Sequence, residues 1–174
     1  MKPVWVLLIA SLYFLPATHR QVVAEPAAKP SIISENPHKA VIQHSIEVLN
    51  QGDTSAVAQA IAPDYKYYSP SNAATPLSRQ EMMAQLKSVL AAFPDLRWQI
   101  KAMYAAEDWV ITRFVISGTQ QGDYMGIPAN GRKIEYSSIV ICHFKDGKII
   151  EEREELNLLG IMQQLNLELK PKEN

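Results

Sequence analysis

The sequence predicts an α+β fold, a cone-shaped, curved antiparallel sheet covered by helices from its N-terminal half. Three observations lead there. Apolar residues recur at helical spacing as far as Phe93, they recur at a spacing near two from Leu96 onward, and the segments with the shorter period are joined by short turns. A chain of 174 residues with 47% hydrophobic and 20% charged content has room for one domain with one core.

The N-terminal segment stands apart from that domain. Lys2 is followed by an apolar run from Val4 to Leu15 and then by Val22-Val23-Ala24, small residues at the positions a signal peptidase reads. Residues 1–24 therefore read as an export signal, with the mature chain beginning near Glu25 and residing in a secreted or periplasmic location. The apolar run is shorter than the roughly 20 residues a membrane-spanning helix needs, so no membrane association is expected after cleavage. Residues 25–35, EPAAKPSIISE, carry two prolines and no helical period and read as a linker. The domain is expected over residues 36–174.

Within that domain, Asn36 and Pro37 make an N-cap and first-turn pair. Val41, Ile42, Ser45, Ile46, Val48 and Leu49 form one stripe that Gly52 ends. Asp53 can cap a short second helix, Thr54 to Ile61, which Pro63 stops, and Asp64 to Tyr68 reads as a brief extended piece. Ser78-Arg79-Gln80-Glu81 is a capping box ahead of a stripe through Met82, Leu86, Val89 and Phe93, a third helix closed by Pro94. Strands follow at Leu96 to Tyr104, Trp109 to Thr119, Lys133 to Phe144 and Lys148 to Leu156. AAED, the glycine-rich GDYMGIPANG and Asp146-Gly147 separate them.

Charge and cysteine content narrow the function. Removing Lys2 and Arg20 takes the formal charge from −1 to −3, with 15 basic residues against 18 acidic ones. That balance gives no footprint for nucleic acid. Cys142 is the only cysteine and lies in the apolar run SIVICHF, so it reads as a buried, inert thiol, and an internal disulfide is excluded. His38 and His44 are six apart, without metal-ligand spacing. Gly126 to Gly131 lacks the ending of a phosphate loop and reads as a glycine-shaped hairpin connection.

The Asp146-Gly147 pair predicts a two-residue hairpin in which Lys145 faces Lys148. Carried outward without interruption, that register sets Tyr136 beside Asn157, Ser138 beside Glu155, Val140 beside Arg153 and Cys142 beside Glu151. Glu155, Arg153 and Asn157 would then share one face, and Glu151, Glu152 and Glu154 would make a solvated rim. A one-residue bulge would exchange the faces.

FPDLRW, VITRFVISGTQQGDYMGIPANGRKIEY, HFKDGKIIEE and the closing LLGIMQQL resemble the polyketide-cyclase-like (SnoaL-like, ester cyclase) branch of the nuclear-transport-factor-2-like superfamily, from about Asn36 to Leu165. The resemblance implies the same cystatin-like cone with a deep pocket. It also implies an intramolecular aldol-type cyclisation or isomerisation of an apolar carbonyl compound, in which an aspartate moves a proton from carbon to oxygen. Asn157 holds the place of that aspartate. Gln120 and Tyr68 stand where the family often has histidine, and Arg153 where it often has tryptophan.

An amide cannot change protonation near neutral pH, so Asn157 either caps the helix beginning at Leu158 or also holds a ligand. Glu155 is the candidate replacement acid, unless it pairs with Arg153 on a solvated strand. Tyr68 and Tyr136 can donate to a ligand oxygen or simply fill the core. Trp98, Phe114 and Met125 can line a cavity, and Gln120 and Arg153 complete the candidate ligand contacts. The expected activity is that of an exported small-molecule cyclase or isomerase. The alternatives are a non-catalytic binding or carrier module for a small apolar ligand, and a structural unit. No cofactor is called for, and a homodimer is expected.

Overall fold

A computed structural model describes residues 36–167. The expected export signal and linker lie outside the described residues.

Among the described residues, three helices precede most of the sheet. α1 (Pro37–Leu49) starts on Asn36, whose side chain accepts from the His38 N–H at 3.0 Å. α2 spans Ser55–Ala60, with Asp53 accepting from the Ser55 N–H and hydroxyl. α3 spans Arg79–Ala92, and both halves of the expected capping box are made between Ser78 and Glu81.

Among the described residues the sheet has six strands in the order β2-β1-β6-β5-β4-β3. These are β1 (Ile61–Tyr68), β2 (Leu77–Ser78), β3 (Arg97–Ala106), β4 (Trp109–Thr119), β5 (Lys133–Lys145) and β6 (Lys148–Leu156). Every pairing is antiparallel except β1 with β6, so the sheet is mixed. The extended piece after α2 is longer than its tyrosines suggest. It begins at Ile61, because Pro63 ends the helix and its missing N–H is tolerated in a strand that pairs irregularly between Ile61 and Lys66.

The Asp146-Gly147 turn has φ of 51° and 73°, as a primed hairpin turn requires, and Phe144 faces Ile149 as expected. The register then shifts. Ile150 is an extra residue on β6, so His143 faces Glu151, Cys142 faces Glu152, Val140 faces Glu154 and Ser138 faces Leu156. The uninterrupted register is thus corrected by a β-bulge, and with it the assignment of β6 side chains to faces.

The core lies between the helices and one sheet face. Phe93, Leu96, Val110, Ile116 and Phe144 are almost wholly buried there. Gly118 allows the close approach of Leu96, whose side chain would lie 2.8 Å from a Cβ at that position. α4 (Leu158–Gln164) closes the end of the sheet. Gln164 exchanges two hydrogen bonds with the backbone of Glu135, at 2.8 and 3.0 Å.

Candidate functional site

Between α1, α2, α3 and the inner sheet face lies a cavity of about 210 Å³ with a mainly apolar wall. The helices contribute side chains such as Ile42, Leu49, Val57, Met82 and Val89, which are stripe positions turned toward the sheet. β4 contributes Thr112, Phe114 and Ile116 at alternate positions, as a pleated strand must.

The acidic part of the wall comes from β6, with hydrogen-bond donors from its two neighbours, β1 and β5. Glu152 and Glu154 face the cavity, and both are half-buried. Tyr65 donates to Glu152 Oε2 at 3.0 Å, and Tyr67 donates to Glu154 Oε2. The hydroxyl of Ser138, on β5, donates to Glu154 Oε1 at 2.6 Å. Each oxygen of Glu154 therefore accepts one hydrogen bond and keeps a second lone pair, whereas Glu152 has one oxygen without a donor.

Removal from bulk water, followed by the neighbouring charge of Glu154, pushes the Glu152 carboxyl up to about 7, against the smaller opposing effect of the Tyr65 hydrogen bond. Burial raises the Tyr65, Tyr67 and Tyr136 phenols above their ordinary value, with nearby glutamates adding to it, so all three remain neutral donors. A carboxyl that can carry a proton near neutral pH, set beside a second carboxylate and phenol donors in an apolar cavity, is equipped for general acid and base work. Thr112 is fully buried on the same wall, and its hydroxyl has no partner among the described residues.

Of the residues named from sequence, Trp98, Phe114 and Tyr136 line this cavity. Trp98 is held by Asn50, whose amide donates to the Trp98 carbonyl at 2.9 Å and accepts from its N–H at 2.8 Å.

The others lie elsewhere. Glu155 and Arg153 are on the outer face, because the bulge turns odd-numbered positions away from the cavity. Glu155 accepts from the N–H and hydroxyl of Ser71. Arg153 donates to Glu151 at 2.7 Å and to the Ser71 carbonyl at 2.7 Å, and stacks 4.1 Å over the ring of Tyr68. The outer cluster thus contains Tyr68, and its neighbour Tyr67 takes the inward position. The expected solvated rim of Glu151, Glu152 and Glu154 is corrected accordingly, since two of those three face the cavity.

Gln120 is wholly buried but outside the cavity. Its amide donates to the carbonyls of Gly122, Ile127 and Pro128 and so staples the loop between β4 and β5. Met125, at the tip of that loop, is 67% exposed with φ of 50°. The same loop sends Tyr124 into the cavity wall, edge-on to Phe93 at 5.2 Å.

Asn157 is exposed and caps α4, accepting from the Gly160 N–H at 2.9 Å. A Cβ on Gly160 would lie 2.5 Å from the Asn157 amide nitrogen, which accounts for the spacing of the asparagine and the glycine in NLLG.

Tyr65, Tyr67, Glu152 and Glu154 were the functional candidates missed by sequence reasoning. Their signal was the alternation of two tyrosines and two glutamates at i, i+2, legible once the phase of each strand is known.

Comparison with known proteins agrees with this architecture. Residues 39–165 match the family model for SnoaL-like polyketide cyclases. The aklanonic acid methyl ester cyclase AcmA of Streptomyces galilaeus is 30% identical over 129 residues, which is 72% of this chain and 88% of that protein. The aklanonic acid methyl ester cyclase DauD of Streptomyces sp. (strain C5) is 25% identical over 138 residues, 75% of this chain and 82% of that one. Among solved structures, IdmH of Streptomyces antibioticus, a proposed polyketide cyclase, superposes with a TM-score of 0.65. It is 26% identical, with 76% of this chain and 100% of IdmH covered.

Proposed function

The chain belongs to the SnoaL-like polyketide cyclase family, and from that premise we propose that it closes a ring in, or isomerises, a small apolar carbonyl compound, with Glu152 and Glu154 moving the proton. The observation that carries this reading is the pair of carboxylates facing an apolar cavity, each with its own tyrosine donor.

In the proposed step, Glu154 takes the proton from the carbon beside one carbonyl. The electron pair left on that carbon forms the new carbon–carbon bond at a second carbonyl carbon, whose oxygen takes the proton of Glu152. One proton leaves carbon and one reaches oxygen, so atoms and charge balance without a further reactant. Return of the proton from Glu154 to Glu152 restores the pair. The buried phenol of Tyr136 supplies a neutral donor where charge develops on oxygen, while that of Tyr67 holds Glu154. Asn157, at the place that the family resemblance gives to an aspartate, serves as the cap of α4 in this scheme.

The test is deuterium uptake from D2O at the carbon beside the carbonyl of a small bound ketone such as 2-acetonaphthone. Exchange catalysed by the wild type and lost in Glu154→Gln is expected. Exchange that survives in a Glu152→Gln/Glu154→Gln double variant would overturn the reading, and tight retention without exchange would favour a carrier.

The same reading includes export and self-association. Lys2, the apolar run and Val22-Val23-Ala24 support cleavage near Glu25, which N-terminal sequencing of the natural protein tests. Exposed apolar side chains on the outer sheet face, Tyr104 at 68% and Ile139 at 46%, support a homodimer, which native mass spectrometry tests.

A further inference from the structure

We infer that Glu152 and Glu154 also select the ligand by charge, so that the cavity refuses a molecule carrying an anionic group and takes one that is uncharged or cationic. This rests on the proposed reading of the same cavity as the site of ring closure.

The argument begins with what is missing from the wall. Two carboxylates face the cavity, and among the described residues lining it none is a lysine, arginine or histidine. Arg153, which lies between the two glutamates in sequence, is turned to the outer face and committed to Glu151 and the Ser71 carbonyl. The bulge at Ile150 therefore does more than bring two acids inward, since it also sends the one neighbouring cation out.

Among the described residues, nothing else around the pair compensates. The titratable groups facing it are Tyr65 and Tyr67 from β1, Tyr136 and Cys142 from β5, and Tyr124 from the loop before β5. Burial raises each of these phenols and the thiol, so all five stay neutral at physiological pH. α1, α2, α3, β3 and β4 bring only apolar, hydroxyl and amide side chains to the wall.

A carboxylate or phosphate entering this space meets Glu154 across a poorly screening medium and finds no cation to pair with. An uncharged carbonyl instead accepts the proton that Glu152 carries on its free oxygen. An ammonium group satisfies both carboxylates and displaces that proton, with the aromatic faces of Tyr67, Trp98 and Tyr136 adding to the attraction.

Calorimetric binding of three matched probes to the purified protein tests this: 2-acetonaphthone, 2-naphthoate and 2-naphthylmethylammonium, each in two buffers of different ionisation enthalpy at slightly acidic pH. The ketone is expected to bind about a hundredfold or more tightly than the naphthoate, and the ammonium to bind with release of a proton. Gln85→Lys, at an exposed position on the cavity wall, should bring the ketone and naphthoate affinities closer by about tenfold. Glu152→Gln/Glu154→Gln should do the same while keeping the shape of the site.

Equal binding of ketone and naphthoate by the wild type overturns charge selection and leaves ring closure standing. Charge selection without deuterium uptake upholds it and overturns ring closure. Failure of all three probes to bind overturns both.

Discussion

Glu154 and Glu155 are neighbours in sequence and face opposite sides of the sheet. Glu154 accepts from Tyr67 and Ser138 at the cavity wall, and Glu155 accepts from Ser71 on the outer surface. Charge-neutralising substitutions at the two positions should therefore separate. Glu154→Gln is expected to lower turnover by about a hundredfold or more, the usual scale for losing a positioned proton carrier. Glu155→Gln is expected to leave kcat within about twofold and to cost a fraction of a kcal/mol through the Ser71 contacts, about the scale of an exposed interaction. Steady-state kinetics of the two variants with one substrate gives the comparison, and an equal loss at both positions would contradict the assignment of faces.

The Glu152 carboxyl gives stability a definite pH dependence. Its ordinary value is 4.5 and the fold raises it to about 7. Below 4.5 the folded and unfolded chains both hold the proton and there is no penalty. Between 4.5 and about 7 the unfolded chain releases its proton first, so the folded state binds more protons and stability falls as pH rises. The fall is complete above about 7, where both forms are ionised. Urea titrations across this range should show it, and Glu152→Gln should flatten the curve within it.

Asn157→Ala should cost about 1 kcal/mol, the usual consequence of losing an N-cap acceptor, and Asn157→Asp should cost less than half of that because the cap bond is kept. Both variants should retain kcat, since the residue stands outside the cavity wall. Gly160→Ala should resemble Asn157→Ala in stability, because the added Cβ displaces the capping amide. Thermal unfolding of the three proteins checks the order.

Thr112→Val should raise stability by about 1 kcal/mol, since a buried hydroxyl without a partner is replaced by a group of nearly the same shape. Chemical denaturation of the free protein measures it. A loss of stability would show that the Thr112 hydroxyl is satisfied in the folded protein.

The capping box of α3, the Asn36-Pro37 start of α1 and the Asp146-Gly147 hairpin were legible because each rests on a local rule within four residues. The cavity-facing acids were not. Residues 151–155 read EEREE, so either phase of the strand presents polar side chains to both faces and the hydrophobic pattern cannot set the register. The same ambiguity of one step separates Tyr67 from Tyr68. Gln120 was misjudged for a different reason: its three carbonyl partners lie two to eight residues along a loop whose path follows no periodic pattern. Asn157 needed Gly160 to be seen as a spatial partner before its capping role stood clear of a ligand role.

One consequence of the bulge at Ile150 is that this chain holds a second, latent interior. Pairing that ran straight through Ile150, with no residue set aside, would advance everything beyond it by one step, bringing Arg153 and Glu155 inward and sending Glu152 and Glu154 to the surface. An acidic chamber would become one lined by a guanidinium and its counterion, without any change in the residues that follow. A one-codon deletion of Ile150 would instead fix the present interior, since Ile149 and Glu151 would then be consecutive in the pairing they already hold.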